Sequence, residues 1–171
     1  SYFAENEDCV TLFRGNVVFL ENVLEDEEWD WGTPGSTLRI WNWKKNKEKH
    51  ILVPSMMKSV HANATKIVTV DEDAIHFWGP KLYHERNFSL HDGDFLGLSD
   101  DFYGVTLIDT ILYNNETGQP IHRIHNVDVL ALSRTTCFAS LTAGRLLSIQ
   151  QHGDNNLFEE SISKYSVERA R

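Results

Sequence analysis

The chain of 171 residues is poor in cysteine and has no long apolar run. Its two cysteines, Cys9 and Cys137, are too few for a disulfide framework, and both lie in apparent strands. We therefore expect buried free thiols and an intracellular location, cytoplasmic or nuclear. The longest apolar run, Val17–Leu20, is far short of the roughly 20 residues that a membrane span needs, so we predict no membrane association. The acidic N-terminus also lacks the basic region of a signal peptide.

Basic residues are outnumbered, with 16 Lys and Arg against 25 Asp and Glu, for a net charge of −9. A protein that binds nucleic acid generally needs a basic surface to displace counterions, so this charge excludes general nucleic-acid binding. The charge is uneven along the chain. Residues 21–30 hold six acids and no base, whereas residues 44–49 hold four lysines. These segments predict one acidic and one basic pole on the surface.

Helical periodicity is almost absent until the last dozen residues. Short apolar or alternating runs bounded by Gly, Asn, Asp or Pro recur instead, which is typical of strands in an antiparallel all-β domain. No helical pattern separates successive strands, which argues against a parallel sheet. We predict fourteen strands: Cys9–Arg14, Asn16–Leu20, Thr37–Trp43, His50–Val53, Lys66–Val70, Ala74–Trp78, Phe88–Leu90, Phe95–Leu98, Tyr103–Ile108, Thr110–Asn114, Ile121–Ile124, Val127–Leu132, Cys137–Thr142 and Arg145–Gln150.

We interpret residues 1–171 as a single domain with two irregular features. Residues 21–36 are predicted to form a long acidic insertion between strands. Residues 157–171 are predicted to form a short amphipathic C-terminal helix, since Phe158, Ile162 and Tyr165 stand at spacings of four and three.

Three stretches of the sequence repeat one pattern, in which a polar turn leads into an alternating run that ends in an aromatic residue. They are Thr37–Leu52 (TLRIWNWKKNKEKHIL), Asp73–Gly79 (DAIHFWG) and Asp109–Ile124 (DTILYNNETGQPIHRI). The pattern resembles the third and fourth strands of a WD-repeat blade. Their aromatic residues are Trp41, Trp78 and Tyr113, and their separations of 37 and 35 residues lie near the WD period of about 40–45.

The resemblance implies a β-propeller in which Asp73 and Asp109 act as structural turn aspartates that hydrogen-bond the backbone. It also implies that Trp41 and Trp78 belong to the core. At about 40 residues per blade the length corresponds to about four blades. Three interpretations stay open: a four-bladed ring, a fragment of a longer chain, and a partial propeller whose open sheet edge a partner or a second copy completes. A β-barrel or β-trefoil is the alternative fold.

No nucleophile elbow, phosphate-binding loop or zinc motif is present in the sequence. The pair His122 and His125 has helical ligand spacing, but it lies in a predicted strand, where positions three apart face opposite sides. We therefore predict no enzymatic activity, no cofactor and no metal site.

The tryptophans outside the predicted core are the best candidates for partner binding. Trp29 and Trp31 lie in the acidic insertion, and Trp43 is followed directly by Lys44 and Lys45. Aromatic side chains in loops are favoured anchors for protein partners, because they bury much area at little entropic cost. We expect these five residues to bind partner proteins.

The resulting hypothesis is a non-catalytic scaffold or adaptor subunit of an intracellular complex, which binds peptides or neighbouring subunits through its blade loops. One alternative is a carbohydrate-binding β module whose aromatic faces stack on sugars. Another is a hydrolase with a site in a central cavity.

Overall fold

A computed structural model describes residues 9–23, 35–53, 55–125, 127–132, 136–141, 145–152 and 157–164, with side chains described between residues 9 and 125, except 22–34 and 54. These residues form sixteen strands in four antiparallel sheets of four strands each. The first sheet contains β1 (Val10–Phe13), β2 (Asn16–Val23), β3 (Gly35–Asn42) and β4 (Lys47–Val53), and the second β5 (Ser59–Ala62), β6 (Ile67–Val70), β7 (Ala74–Trp78) and β8 (His84–Ser89). The third contains β9 (Asp94–Leu98), β10 (Phe102–Thr106), β11 (Thr110–Asn114) and β12 (Pro120–Ile124), and the fourth β13 (Val127–Leu132), β14 (Thr136–Leu141), β15 (Arg145–His152) and β16 (Leu157–Lys164).

Each sheet is a meander in which neighbours in sequence are neighbours in space. All fourteen predicted strands are present, with boundaries shifted by a few residues. The repeat is confirmed as well, because Trp41, Trp78 and Tyr113 lie on the third strand of their respective sheets. Since each strand belongs to one separate four-stranded sheet, the barrel and trefoil alternatives are wrong.

The sequence pattern does not predict the strand β5, and it predicts a helix where β16 lies. The short β5 has only one β-branched residue, Val60, so its pattern is weak. A helix was predicted over 157–171, but Leu157–Lys164 is a strand paired with β15 along its whole length. The spacing of four between Phe158 and Ile162 does not distinguish a helix from a strand, because residues four apart share a face in both. Residues 165–171 lie outside the described part of the chain.

The predicted acidic insertion over 21–36 is shorter than expected. The strand β2 continues to Val23 and β3 begins at Gly35, so residues 24–34 separate them and lie outside the described residues. Within the part of the chain that the structure describes, no helix has the length and apolarity that a membrane crossing requires.

The chain divides into two compact units, Ser1–His91 and Asp92–Arg171, and its organisation as one domain stays a prediction. The first unit contains the first and second sheets, which share an apolar core. Alternation along β2 and β3 turns Val18, Leu20 and Leu38 to the same face, where they are buried with Ile67 and Trp78 of the second sheet. Burial of these side chains is the main stabilising term of the first unit.

A two-residue turn joins β1 to β2. Its central residues, Arg14 and Gly15, have φ of 49° and 76°, which is the left-handed backbone that a type I′ hairpin requires. Glycine adopts this conformation without strain. The Arg14 guanidinium Nε also donates a hydrogen bond of 3.1 Å to the carbonyl oxygen of Ala64, which ties the turn to the second sheet.

In the second unit, the third sheet has a buried aromatic pair at its centre. Tyr103 on β10 and Tyr113 on β11 are directly opposite each other, and their rings stack with centroids 5.2 Å apart. Burial raises the pKa of the Tyr103 phenol, with a further contribution from Tyr113. The turns around this sheet are joined by Asn115, whose side-chain amide donates a hydrogen bond of 2.9 Å to the carbonyl oxygen of Ser99.

Candidate protein-binding surface

The turn between β3 and β4, residues 43–46, is held by two asparagines. The Asn42 side-chain oxygen accepts a hydrogen bond of 3.1 Å from the backbone N–H of Lys45. Asn46 has a φ of 47°, a left-handed conformation that asparagine tolerates, and its side-chain oxygen accepts from the indole Nε1 of Trp41 at 3.4 Å. These bonds define the backbone from which the neighbouring side chains project.

Three of the predicted partner-binding residues lie together on this turn. Trp43 is 53% exposed, and Lys44 and Lys45 are exposed beside it. The Lys44 ammonium lies 5.5 Å from the centroid of the Trp43 ring, within the range of a cation–π contact. Lys47 and Lys49 extend the positive charge along β4. We call residues 43–49 the Trp–Lys turn.

Tyr83 also belongs to this surface, although the sequence pattern does not predict it. Its ring is exposed, and the Lys49 ammonium lies 5.5 Å from the ring centroid. The preceding residue, Leu82, is buried in the core of the first unit with a φ of 62°. Because Leu82 points inward in a tight turn, Tyr83 is directed outward next to β4. No local pattern predicts this neighbour, since the packing of the two sheets brings it there.

Trp29 and Trp31, the other predicted partner-binding residues, lie outside the described residues. The strand ends that flank them, Val23 and Gly35, are opposite each other at one end of the first sheet. The Trp–Lys turn is at the other end of β3, where Asn42 pairs with Lys47 of β4. The binding role of Trp29 and Trp31 stays a prediction.

The first predicted turn aspartate is Asp73, but the aspartate whose side chain caps this turn lies two positions earlier in the sequence. Asp73 is exposed, and its backbone carbonyl accepts a hydrogen bond from Leu90 N–H. The capping side chain is that of Asp71, whose Oδ1 accepts from the backbone N–H groups of Asp73 and Ala74, both at 2.8 Å. An aspartate side chain reaches N–H groups two and three residues ahead of it, so the turn favours Asp71.

Asp71 also begins a short polar chain on the second sheet. Its Oδ2 lies 2.7 Å from Nε2 of His76, and Nδ1 of His76 lies 3.2 Å from Nε2 of His84. Burial by itself raises the pKa of Asp71, but the bonds from His76 and the backbone N–H groups lower it by more, and the net pKa is lowered. The pKa of His84 is lowered because burial and the charge of His76 both disfavour its protonated form.

The second predicted turn aspartate, Asp109, binds side chains of the third sheet. Its carboxylate lies 3.0 Å from Nδ1 of His125 and 3.3 Å from Nη1 of Arg123. The hydrogen bond from His125 is the largest cause of its lowered pKa, and Arg123 lowers it further. Asp109 thus links the β10–β11 turn to the end of β12 through side chains. The repeat pattern predicts that the Asp109 side chain hydrogen-bonds backbone groups, whereas its partners here are the side chains of His125 and Arg123.

Neither aspartate cluster is arranged like a metal site. Among the residues whose side chains are described, no three His, Cys, Asp or Glu side chains converge closely enough to hold a metal ion. The histidines at Asp71 and Asp109 instead donate to carboxylates within their own sheets, which stabilises turns. The Trp–Lys turn is therefore the candidate site that the described surface supports best.

No protein-family profile matches the chain, and no curated protein matches it. Solved structures do. HIRA (residues 644–1017) is similar with a TM-score of 0.61 at 9% identity, over 87% of this chain and 52% of that one. Hsv2p of Kluyveromyces lactis has a TM-score of 0.60 at 14% identity, over 91% and 48%. The N-terminal domain of Nup159 has a TM-score of 0.53 at 9% identity, over 90% and 42%.

The similar structures are β-propellers, and at such low identities the likeness shows the fold alone. The chain therefore has the four-stranded blades of a WD-repeat-like β-propeller, as the repeat predicted. It spans about half the length of the solved structures that it matches, which is consistent with a partial propeller.

Proposed function

We propose that the chain is a non-catalytic protein-interaction module that binds acidic partner segments through the Trp–Lys turn. The observation that supports this best is the exposed indole of Trp43 with the Lys44 ammonium near its face. An exposed tryptophan on a turn held by two side-chain hydrogen bonds loses little entropy on binding, and such residues are frequent binding hot spots. The propeller fold supports a scaffold role without dictating it.

The charge distribution favours an acidic partner. The whole chain carries −9, whereas the Trp–Lys turn contains four lysines and one glutamate. A local positive patch on a negative protein orients an approaching acidic segment and repels basic ones. The aromatic rings of Trp43 and Tyr83 then supply the apolar contact that charge alone does not give.

As part of the same proposal, the module is an adaptor subunit of an intracellular complex, cytoplasmic or nuclear. The scarcity of cysteine supports a reducing compartment. Trp29 and Trp31 are proposed as a second contact region, because they are aromatic residues in an acidic segment.

The test uses a fluorescein-labelled peptide of alternating Glu and Tyr residues, with a Lys–Tyr peptide of equal length for comparison, in fluorescence anisotropy. We expect saturable binding of the Glu–Tyr peptide and a loss of affinity of at least about tenfold in Trp43→Ala, the scale of a hot-spot truncation. Lys44→Ala should weaken binding mainly at low salt, because at high ionic strength salt already screens much of the attraction between Lys44 and the acidic peptide.

Lys58→Ala is the matched control, since Lys58 is a surface lysine paired with Glu72 at 2.7 Å, away from the Trp–Lys turn in sequence. It should bind the Glu–Tyr peptide like the unmodified chain. Equal binding of both peptides, or unchanged affinity in Trp43→Ala, contradicts the proposal. For the second region, Trp29→Ala combined with Trp31→Ala should weaken partner capture and leave the thermal midpoint nearly unchanged. Loss of folding would instead assign these rings to the core.

A further inference from the structure

The first sheet buries one face in the core and exposes apolar residues on the other. In a strand pair, residues directly opposite each other share a face. Leu12, Val17 and Trp41 are aligned in this way across β1, β2 and β3, and Val10 lies two positions before Leu12. Leu12 is 70% exposed, and Val10 and Trp41 are exposed too. We call this the outer face; it also carries Phe19, Glu21, Arg39, Glu48, His50 and Leu52.

In the second sheet, the positions equivalent to the outer face are covered by the first sheet. Trp78 lies opposite Ile67, as Trp41 lies opposite Val17, and each tryptophan is on the third strand of its sheet. The first-strand residues that continue these rows are Ala62 in the second sheet and Leu12 in the first. Trp78 and Ile67 are buried against the first sheet, with Ala62 packed beside them.

The two tryptophans therefore differ in what lies in front of them. Trp78 is 6% exposed because a complete sheet packs on its face, and Trp41 is 37% exposed on the corresponding face of the first sheet. The resemblance to a WD repeat predicts both tryptophans in the core, and this prediction is wrong for Trp41. In the second sheet this face packs against the first sheet. The outer face of the first sheet has apolar residues at the corresponding positions, as a face that packs against a sheet does.

The charged groups on the outer face are compatible with being covered. Arg39 lies between two carboxylates: its Nε is 3.1 Å from Glu21 Oε2, and its Nη1 also contacts Glu48. A charge that is paired and hydrogen-bonded costs much less to remove from water than an isolated one. The outer face is also nearly neutral, with Arg39 against Glu21 and Glu48, so it does not strongly repel a sheet that packs on it.

The size of the outer face suits a weak, reversible interface. Four strands about 4.8 Å apart and about six residues long form a face on the order of 400 Å² in projection. This is about half of the roughly 800 Å² per partner that stable complexes bury, and it lies in the range of weak and transient ones. The chain covers about half of each solved propeller, so two copies together have about as many residues as one of them.

We propose that the outer face of the first sheet docks a four-stranded sheet of a second copy of this chain. The packing would repeat the contact that the first and second sheets already make within one copy. The outer face adjoins the Trp–Lys turn at Glu48. Separate variants distinguish the two properties, since Leu12→Glu tests self-association and Trp43→Ala tests peptide binding.

The test is sedimentation equilibrium of the purified chain from low to high micromolar concentration. We expect a reversible dimer with twice the 19.7 kDa mass of one chain. Leu12→Glu places a charge on the outer face at an exposed position of an edge strand, and it should raise the dimer dissociation constant at least tenfold. Leu107→Glu, an equally drastic change at an exposed leucine between β10 and β11, is the matched control and should leave the dimer unchanged.

A photocrosslinking measurement keeps the proposal testable if Leu12→Glu misfolds. A benzoylphenylalanine at position 12 should give covalent dimers of the chain on irradiation, and one at position 107 should not. A monomer at every concentration overturns the proposal, as does a dimer unaffected by Leu12→Glu. A crosslink formed only with a different protein overturns it too, because the sheet on the outer face would then come from that protein.

Discussion

The hydrogen bond between Trp78 and Thr69 offers the sharpest test of how the second sheet is stabilised. Indole Nε1 of Trp78 donates to the hydroxyl of Thr69 at 2.8 Å, and both residues are buried. Thr69→Val removes the acceptor and keeps the shape of the side chain. The indole N–H then remains buried without this acceptor, because the valine methyl group that replaces the hydroxyl cannot accept a hydrogen bond.

Leaving a buried donor unsatisfied costs about 1–3 kcal/mol in the free energy of unfolding. For a chain of this size, each kcal/mol corresponds to about 2–4 °C in the thermal midpoint. We therefore expect Thr69→Val to lower the midpoint by about 2–12 °C. Urea unfolding followed by far-UV circular dichroism measures the free energy directly.

Two further variants separate the hydrogen bond from side-chain packing. Thr69→Ser retains the hydroxyl and loses only a methyl group, so it measures the packing part. Trp78→Phe removes the donor, and in that background Thr69→Val should cost little or even stabilise the chain, because no N–H is left unpaired. A Thr69→Val variant as stable as the unmodified chain, or one equally destabilised with and without Trp78, refutes the reasoning.

Three other perturbations have definite expected outcomes. Gly15→Ala should destabilise the chain by about 1 kcal/mol in urea unfolding, because its φ of 76° is unfavourable for alanine; an unchanged midpoint contradicts this. Leu38→Ala should cost about 2–5 kcal/mol since Leu38 is fully buried, whereas Leu107→Ala, at an exposed site, should change stability by less than about 0.5 kcal/mol; equal losses contradict the assigned core. The lowered pKa of Asp71 contributes stability above pH about 4, which is lost as the pH falls through the folded-state pKa. The stability gap between the unmodified chain and Asp71→Asn should therefore narrow from pH 5 toward pH 3, and a constant or widening gap contradicts the assignment.

Part of the candidate site could be predicted from the sequence. Trp43, Lys44 and Lys45 stand out locally, because an indole followed by lysines between two alternating runs indicates an exposed hairpin turn. Tyr83 could not be found in this way, since it is 34 residues from Lys49 in the sequence and meets it only where two sheets pack. A contact across that separation leaves no local pattern.

The turn aspartates show which detail of a turn cannot be predicted from the sequence. The segment Asp71-Glu72-Asp73 is recognisable as a turn from composition alone. Which aspartate caps the turn depends on where β7 begins, because the carboxylate must reach N–H groups two and three residues ahead. The likeness to the repeat pattern predicts Asp73, whereas the backbone geometry selects Asp71.

The sequence by itself determined fourteen of the sixteen strands, their antiparallel order and the aromatic position on the third strand of three of the four sheets. Alternation and turn residues reflect interactions between residues close in the sequence, so they can be recognised without the rest of the chain. Only the tertiary structure decided which sheet faces are covered. Trp41 and Trp78 occupy the same place in the repeat, yet one is exposed and the other buried. The difference is set by whether another sheet packs in front of the ring, and that depends on residues far away in the sequence.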